Sequence, residues 1–368
     1  MNDFLTSLRL RCSLVFVLFV WGCDAPTLHT VERTRVLMDT AITLKIFLPD
    51  RSGELQAAAT LDTAFAELTR LDSLLSSYRN DSEIAARNRM PQGLEAEIST
   101  DLDSLIRAAQ YVSAITAGAF DITIAPVLRL WGFGTDTLDV PSAAEITSRL
   151  PHVNFRHLQL RRVVAPHALT SSAAPRQNTS FMSFEQTGMA IDLGGIAKGY
   201  AADVAERLCA QNGYRDVLIA VGGDLRMQAS ALTAGQRYVW IKHPRRPETF
   251  FARFRCDSGG VSTSGDYERY FEHEGKRYHH ILDPATGFPA GQNQDGALTV
   301  SVTVVANQTI YSDAFATAIF VMGVERGIAL AERLPELEAV VVFIANNKLE
   351  WRATSGLKQK LEILNAEL

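Results

Sequence analysis

Residues 189–203 read Met-Ala-Ile-Asp-Leu-Gly-Gly-Ile-Ala-Lys-Gly-Tyr-Ala-Ala-Asp, MAIDLGGIAKGYAAD. An apolar run closes on Asp192, two glycines follow, and a helical pattern then sets Lys198 in its first turn. The run predicts a strand over 189–192 and the pattern a helix over 196–211, with Gly194 and Gly195 turning the chain between them. A helix N-terminus presents unpaired N–H groups and partial positive charge, so an anion such as phosphate settles there. Glycines also let a ligand approach the main chain closely. The spacing is neither that of a P-loop nor Gly-x-Gly-x-x-Gly, and an ordinary turn before a helix is the competing reading. Asp192 is the anomaly. A carboxylate beside an anion site must address a ligand hydroxyl, a ring N–H or a cation, or else cap its own helix.

Outward from this segment, the second half of the chain alternates strands and helices. Strands are predicted at 216–221, 237–242, 250–256, 277–282, 298–305 and 339–345, and helices at 309–322 and 325–334. The segment FIANNKLEW, 343–351, reads as a hairpin around an Asn-Asn turn. In the first half, RVLMDTAITLKIFLP, 35–49, alternates as a strand. Leu61, Phe65, Leu68, Leu71 and Leu75 then line one face of a helix over 54–75. A second helix is predicted at 101–116, and a third begins at Ser142-Ala-Ala-Glu145, a capping box after Pro141. Residues 168–187 are polar and Ser/Thr-rich, the composition of a surface loop or insertion. Long sheets with interspersed helices, but no strict βαβ repeat, predict an α+β fold.

The N-terminus carries a different message. Arg9 and Arg11 precede CSLVFVLFVWG, about eleven apolar residues where a membrane-spanning helix needs roughly twenty. That is the length of a secretory h-region behind a positive n-region. Val20-Trp21-Gly22-Cys23 resembles a bacterial lipobox, so residues 1–22 are expected to be a lipoprotein signal peptide and Cys23 the lipidated residue. Trp21 is bulky for that pattern, and ordinary cleavage is the alternative. Asp24 hints at retention at the inner membrane, with the body facing the periplasm. Residues 23–33 then read as a tether and 34–366 as a single domain of two lobes. The formal charge of −5 is dispersed without a basic stripe, which argues against a nucleic-acid face. After processing, Cys209 and Cys256 remain; an oxidising compartment permits a bridge between them, and two buried thiols are the alternative.

Further clusters could carry chemistry. In YSDAFATAIFVMG, 311–323, Asp313 and Thr317 stand four apart on one helical face. A carboxylate and a hydroxyl are hard donors that suit Mg2+, which takes few protein ligands and completes its shell with water and substrate phosphates. A helix-terminal acid above a packed threonine is the bland alternative. YHHILDPATGFPA, 278–290, sets His279, His280 and Asp283 before a Pro-x-x-Gly turn; either histidine could be a general base or a structural residue. Gly222-Gly223-Asp224 closes a strand. Tyr78 and Phe120 could pack on a flat ring or in the core, and Asp121 sits in a Gly-rich turn.

In combination, seven segments in order resemble the ApbE family, the FAD:protein FMN transferases, long labelled thiamine-biosynthesis lipoproteins. They are MDT, SSYRNDSEIAARN, GAFDITIAPV, IDLGGIAKGYAAD, VGGD, HILDPATGFP and the pair VTVVA and SDAFATA, spanning Met38 to Gly323. The resemblance implies a T-fold-like α+β architecture, with antiparallel and mixed sheets, packed helices and FAD in a cleft between two lobes. It implies a flavin transferase that moves the FMN half of FAD to a threonine hydroxyl of a redox-complex protein and releases AMP. By the motifs, Met38, Tyr78, Ala119, Phe120, Asp121, Asp192, Lys198 and Ile281 would contact FAD. Asp313, Thr317 and the Gly195 carbonyl would ligate Mg2+, and His280 would be catalytic. Asp39 stands where the family usually has glycine. An FAD pyrophosphatase on the same site, and a non-catalytic periplasmic flavin-binding lipoprotein, are the alternatives.

Overall fold

The computed structural model describes residues 28–77, 79–133, 137–163, 179–292 and 296–367. The expected signal peptide, Cys23, Tyr78 and most of the polar 168–187 stretch lie outside the described residues. An eight-stranded sheet forms the centre: β1 His29–Leu37, β2 Thr40–Leu48, β3 Val217–Val221, β4 Asp224–Gln228, β5 Ser258–Gly265, β6 Leu298–Ala306, β7 Leu337–Ala345 and β8 Lys348–Ala353. Order across the sheet follows order along the chain, and every neighbouring pair is antiparallel. It is a meander with long excursions. Between β2 and β3 run the helices α1 Glu54–Leu75, α2 Thr100–Ile115 and α3 Ala197–Gln211; between β6 and β7 run α4 Thr309–Met322 and α5 Val324–Arg333. The excursion between β5 and β6 carries a hairpin, Tyr270–His273 with Lys276–His279.

Alternate side chains of a strand face opposite ways, and here both faces are covered. Ile42, Leu44 and Ile46 of β2 and Val217, Ile219 and Val221 of β3 pack against the helices, with Leu61, Phe65 and Leu68 of α1 fully buried among them. Burial of each such side chain contributes roughly 1.5–3 kcal/mol. Phe47, Leu218, Leu225 and Met227 point to the other face, which a three-stranded sheet of Tyr238–Lys242, Phe250–Arg255 and Glu362–Ile363 closes. Cys209 belongs to the helical side and Cys256 to the opposite side, so the two are separate buried thiols and not a bridge. A smaller cluster around Trp131, Phe133 and Leu282 joins the β2–β3 excursion to the β5–β6 excursion, with Phe271 and Tyr278 of the hairpin packed on it. Among the described residues, no helix is long and apolar enough to cross a membrane.

Most predicted elements form within a residue or two, including α1, the Ser142/Glu145 capping box and the Asn346-Asn347 turn. Three readings need correction. The 35–49 stretch is a hairpin, not one strand: Met38 (φ 52°) and Asp39 (φ 56°) form its turn. Two residues with positive φ match the twist of a tight hairpin, and aspartate tolerates that conformation where most side chains do not. The alternation continues unbroken through the two-residue turn, which hides the reversal. β1 already begins at His29, so the end of the expected tether is sheet. Residues 189–192 form no strand and pair with none. The unpredicted β5, SGGVSTSG, lacks bulk because α4 lies on it: a β-carbon at Gly260 would stand 2.4 Å from Thr309 Cα.

Candidate active site

The approach to α3 is built by Asp192. Its backbone N–H donates to Ile122 O at 2.8 Å, tying it to the turn after Asp121. Oδ1 accepts from the Gly194 N–H and Oδ2 from Ser77 Oγ, each at 2.8 Å. The carboxylate thus shapes the double-glycine bend that presents the start of the helix. Asp121 is also occupied: Oδ1 accepts from Thr123 N–H and Oγ1, and Oδ2 from Phe155 N–H. Burial raises its pKa, while those three bonds oppose the rise. Its carboxylate organises a turn, and the neighbouring Phe120 supplies the surface toward Gly195.

Helices α3 and α4 touch through Gly199. A β-carbon there would fall 2.3 Å from Thr309 O and 2.8 Å from Asp313 Cβ. One turn later, Asp203 accepts hydrogen bonds from Thr309 and Ile310 N–H, both at 2.9 Å, and so caps the start of α4. This clamp fixes Asp313 against α3. Gly199 N–H donates to Asp313 Oδ2 at 3.0 Å, and Lys198 Nζ lies 3.9 Å from Oδ1. The same ammonium donates to Gly194 O at 3.1 Å and lies 3.5 Å from Asp224 Oδ2. Thr317 stands one turn beyond Asp313, beside the glycine bend: a β-carbon at Gly195 would lie 3.4 Å from Thr317 Oγ1 and 3.2 Å from Phe120 Cε2. Gly195, Lys198, Phe120, Asp313 and Thr317 therefore converge. Met38 turns at the same end of the sheet, where Gly222 N–H donates to Ala41 O.

Charge is concentrated here. Burial, then the Asp224 charge, push Asp313 up to about 7, although Lys198 and the Gly199 N–H favour its ionised form. Burial works hardest against the charge on Lys198, yet Asp313 and Asp224 outweigh it and raise its pKa. The donors at Asp313 fit a hard divalent cation: a carboxylate oxygen without a hydrogen bond among the described residues, and the Thr317 hydroxyl one turn further on. Among those residues, no three His, Cys, Asp or Glu side chains form a closed metal cage. Mg2+ does not require one, because water and substrate phosphates complete its shell.

The two histidines separate cleanly. His279 is buried with both nitrogens spent: Nε2 donates to Ala290 O at 3.1 Å, and Nδ1 accepts from Ile281 N–H at 3.3 Å. His280 Nδ1 faces Arg269 O at 3.1 Å. A carbonyl can only accept, so Nδ1 carries the proton and Nε2 keeps its lone pair. Burial, then the positive charge of Arg269, hold the His280 pKa down to about 3. The ring is a neutral proton acceptor, its edge against Phe133. Ile281 is buried beside it, and Ala119 lies in the turn before Phe120, its N–H donating to Thr116 O. Tyr78 lies outside the described residues. Two residues of the cluster had no role assigned from sequence: Asp224, visible only as the end of VGGD, and Arg269, which no motif marks.

Lys198, Asp313, Thr317 and His280 are the groups here suited to an anion, a hard cation or a proton, the equipment of an enzyme that handles phosphates on an α+β frame. The chain belongs to the ApbE family, whose model matches residues 38–341. It is 31% identical over 350 residues to the FAD:protein FMN transferase of Treponema pallidum, covering 91% of this chain and 90% of that protein. It is 30% identical over 346 residues to the FAD:protein FMN transferase of Salmonella typhimurium, with 92% of each covered. Among solved structures, the flavin transferase ApbE from Vibrio cholerae is similar with a TM-score of 0.75 at 25% identity, covering 90% of this chain and 99% of that one. The ApbE protein from Thermotoga maritima has a TM-score of 0.74 at 28% identity, with the same coverage.

Proposed function

We propose that the protein is an FAD:protein FMN transferase that uses Mg2+, moves the FMN half of FAD to a threonine hydroxyl of a redox-complex protein, and releases AMP. The observation that carries this reading is the meeting of the Gly195 bend and Lys198 with Asp313 and Thr317. The amides opening α3 and the Lys198 ammonium would hold the pyrophosphate. Asp313, Thr317 and the Gly195 carbonyl would hold Mg2+, which when bound supplies a Lewis acid for the charge growing on the AMP oxygen. Phe120 and Ile281 would flank the nucleotide, and Asp192 would turn to its polar edge. His280 Nε2 would take the proton of the attacking hydroxyl; its lowered pKa keeps the ring neutral and ready to accept, at the cost of being a weaker base than one tuned near pH 7. In the cell we place this body in the periplasm, anchored to the inner membrane through lipidated Cys23.

The test is incubation with FAD, Mg2+ and a candidate flavoprotein subunit, followed by mass spectrometry. An FMN-sized addition on a threonine is expected, and Asp313→Ala should remove it while leaving the protein folded. AMP and free FMN without any addition would replace transfer by FAD hydrolysis. Unchanged transfer by Asp313→Ala would overturn the metal assignment.

A further inference from the structure

Asp224 is a carboxylate in the wrong place for a structural residue. It opens β4 directly after Gly222-Gly223, is 3% exposed, and pairs through its backbone with Val221 and Ser262. Among the described residues its only ion pair is with Lys198, at 3.5 Å. A buried carboxylate with one partner is no better for stability than an apolar side chain of similar size, because desolvation offsets the attraction. Its use must lie in what it does to Lys198. That ammonium stands between two carboxylates, and the Asp224 oxygen is nearer than the Asp313 oxygen at 3.9 Å. The Gly194 carbonyl steadies it from a third side.

We infer that Asp224 is a positioning residue, a second counter-ion that holds the Lys198 ammonium off Asp313 so that Asp313 stays open to a divalent cation. The inference rests on the metal site proposed above. Two cations cannot both be neutralised by one carboxylate in a site of low dielectric. With Asp224 present, the arriving cation takes Asp313 and Lys198 keeps a partner. With Asp313 ionised, the two carboxylates and the lysine carry one net negative charge before the cation binds and one net positive charge after, which suits a pyrophosphate ligand. Without Asp224, Lys198 falls back on Asp313 and competes directly with the metal.

A double-mutant cycle tests this, using Mn2+ as the probe and electron paramagnetic resonance of free Mn2+ as the readout, in the absence of FAD. Asp224→Asn should weaken Mn2+ binding about tenfold, and Lys198→Gln should recover most of that loss in the Asp224→Asn background while changing affinity little on its own. Such coupling is what a competing lysine produces. If Lys198→Gln improves Mn2+ affinity equally in both backgrounds, the charges act only through space and the positioning role is refuted. Thermal melts qualify each variant, and Asp224→Ser replaces Asp224→Asn in the cycle if the latter does not fold. Asp313→Ala serves as a separate arm: retained Mn2+ binding there would remove the metal site itself, a failure distinct from additivity in the cycle.

Discussion

Replacing Gly199 by alanine sets two known effects against each other. In a helix interior, glycine to alanine is worth about 1 kcal/mol in favour of alanine. At Gly199, however, the added methyl would lie 2.3 Å from Thr309 O, 2.7 Å from Thr309 C and 2.8 Å from Asp313 Cβ. The first two are main-chain atoms of α4, so no side-chain rotation relieves the overlap, and the helices must part by about 1 Å to restore ordinary contact. Forcing a methyl into a packed interior costs about 1–3 kcal/mol. Parting the helices also stretches the Gly199 N–H bond to Asp313, leaving a buried carboxylate less satisfied at a further cost of about 1–3 kcal/mol. Packing outweighs propensity, and a net loss of about 1–5 kcal/mol is expected. Urea denaturation followed by far-UV circular dichroism would measure it as a lowered midpoint with an unchanged slope. Activity should fall as well, since Asp313 moves away from Lys198 and Gly195. A variant as stable as the parent, or more so, would show that α3 and α4 are not held together at this point.

Four other outcomes follow from the same geometry. His279→Gln should lower stability because both ring nitrogens are bonded in the interior, whereas His280→Gln should fold and bind FAD yet lose transfer; denaturation and single-turnover assays separate the two. His280 has its pKa lowered from 6.5 to about 3, so the neutral ring persists as pH falls from 8 to 5; with Mg2+ saturating, which holds Asp313 ionised, the rate should show no acid limb near 6.5. The same shift makes the unfolded chain the better proton binder, so the stability it contributes is full above 6.5 and is lost as pH falls toward about 3; pH-dependent denaturation of the parent and of His280→Gln measures the difference. Asp121→Asn replaces an acceptor by an amide nitrogen facing N–H groups, and a loss of about 1–3 kcal/mol is expected in the urea midpoint.

Local physics made much of this protein legible from residues alone. The 3.6-residue spacing of Leu61 to Leu75 requires a helix whatever surrounds it, and Ser142 with Glu145 satisfies its own N–H groups within one turn. Asn346-Asn347 sets its hairpin through backbone preference. The same holds for the chemical identities of Lys198, His280, Asp313 and Thr317, and for the motif order that marks the ApbE family. Tertiary structure decided what period and composition cannot encode. A two-residue turn at Met38-Asp39 preserves alternation, so only strand pairing reveals the reversal. β5 is small and polar because a helix lies on it, a requirement set by α4. His279 and His280 are equivalent as letters and differ only in which carbonyl each nitrogen meets. Gly199 and Asp313 are 114 positions apart, and their hydrogen bond exists because a meander of sequential strands brings the first turns of α3 and α4 together. Asp224 acquires a role only there, as the second charge beside a shared lysine: electrostatics depends on distance in space, and chain order does not contain that distance.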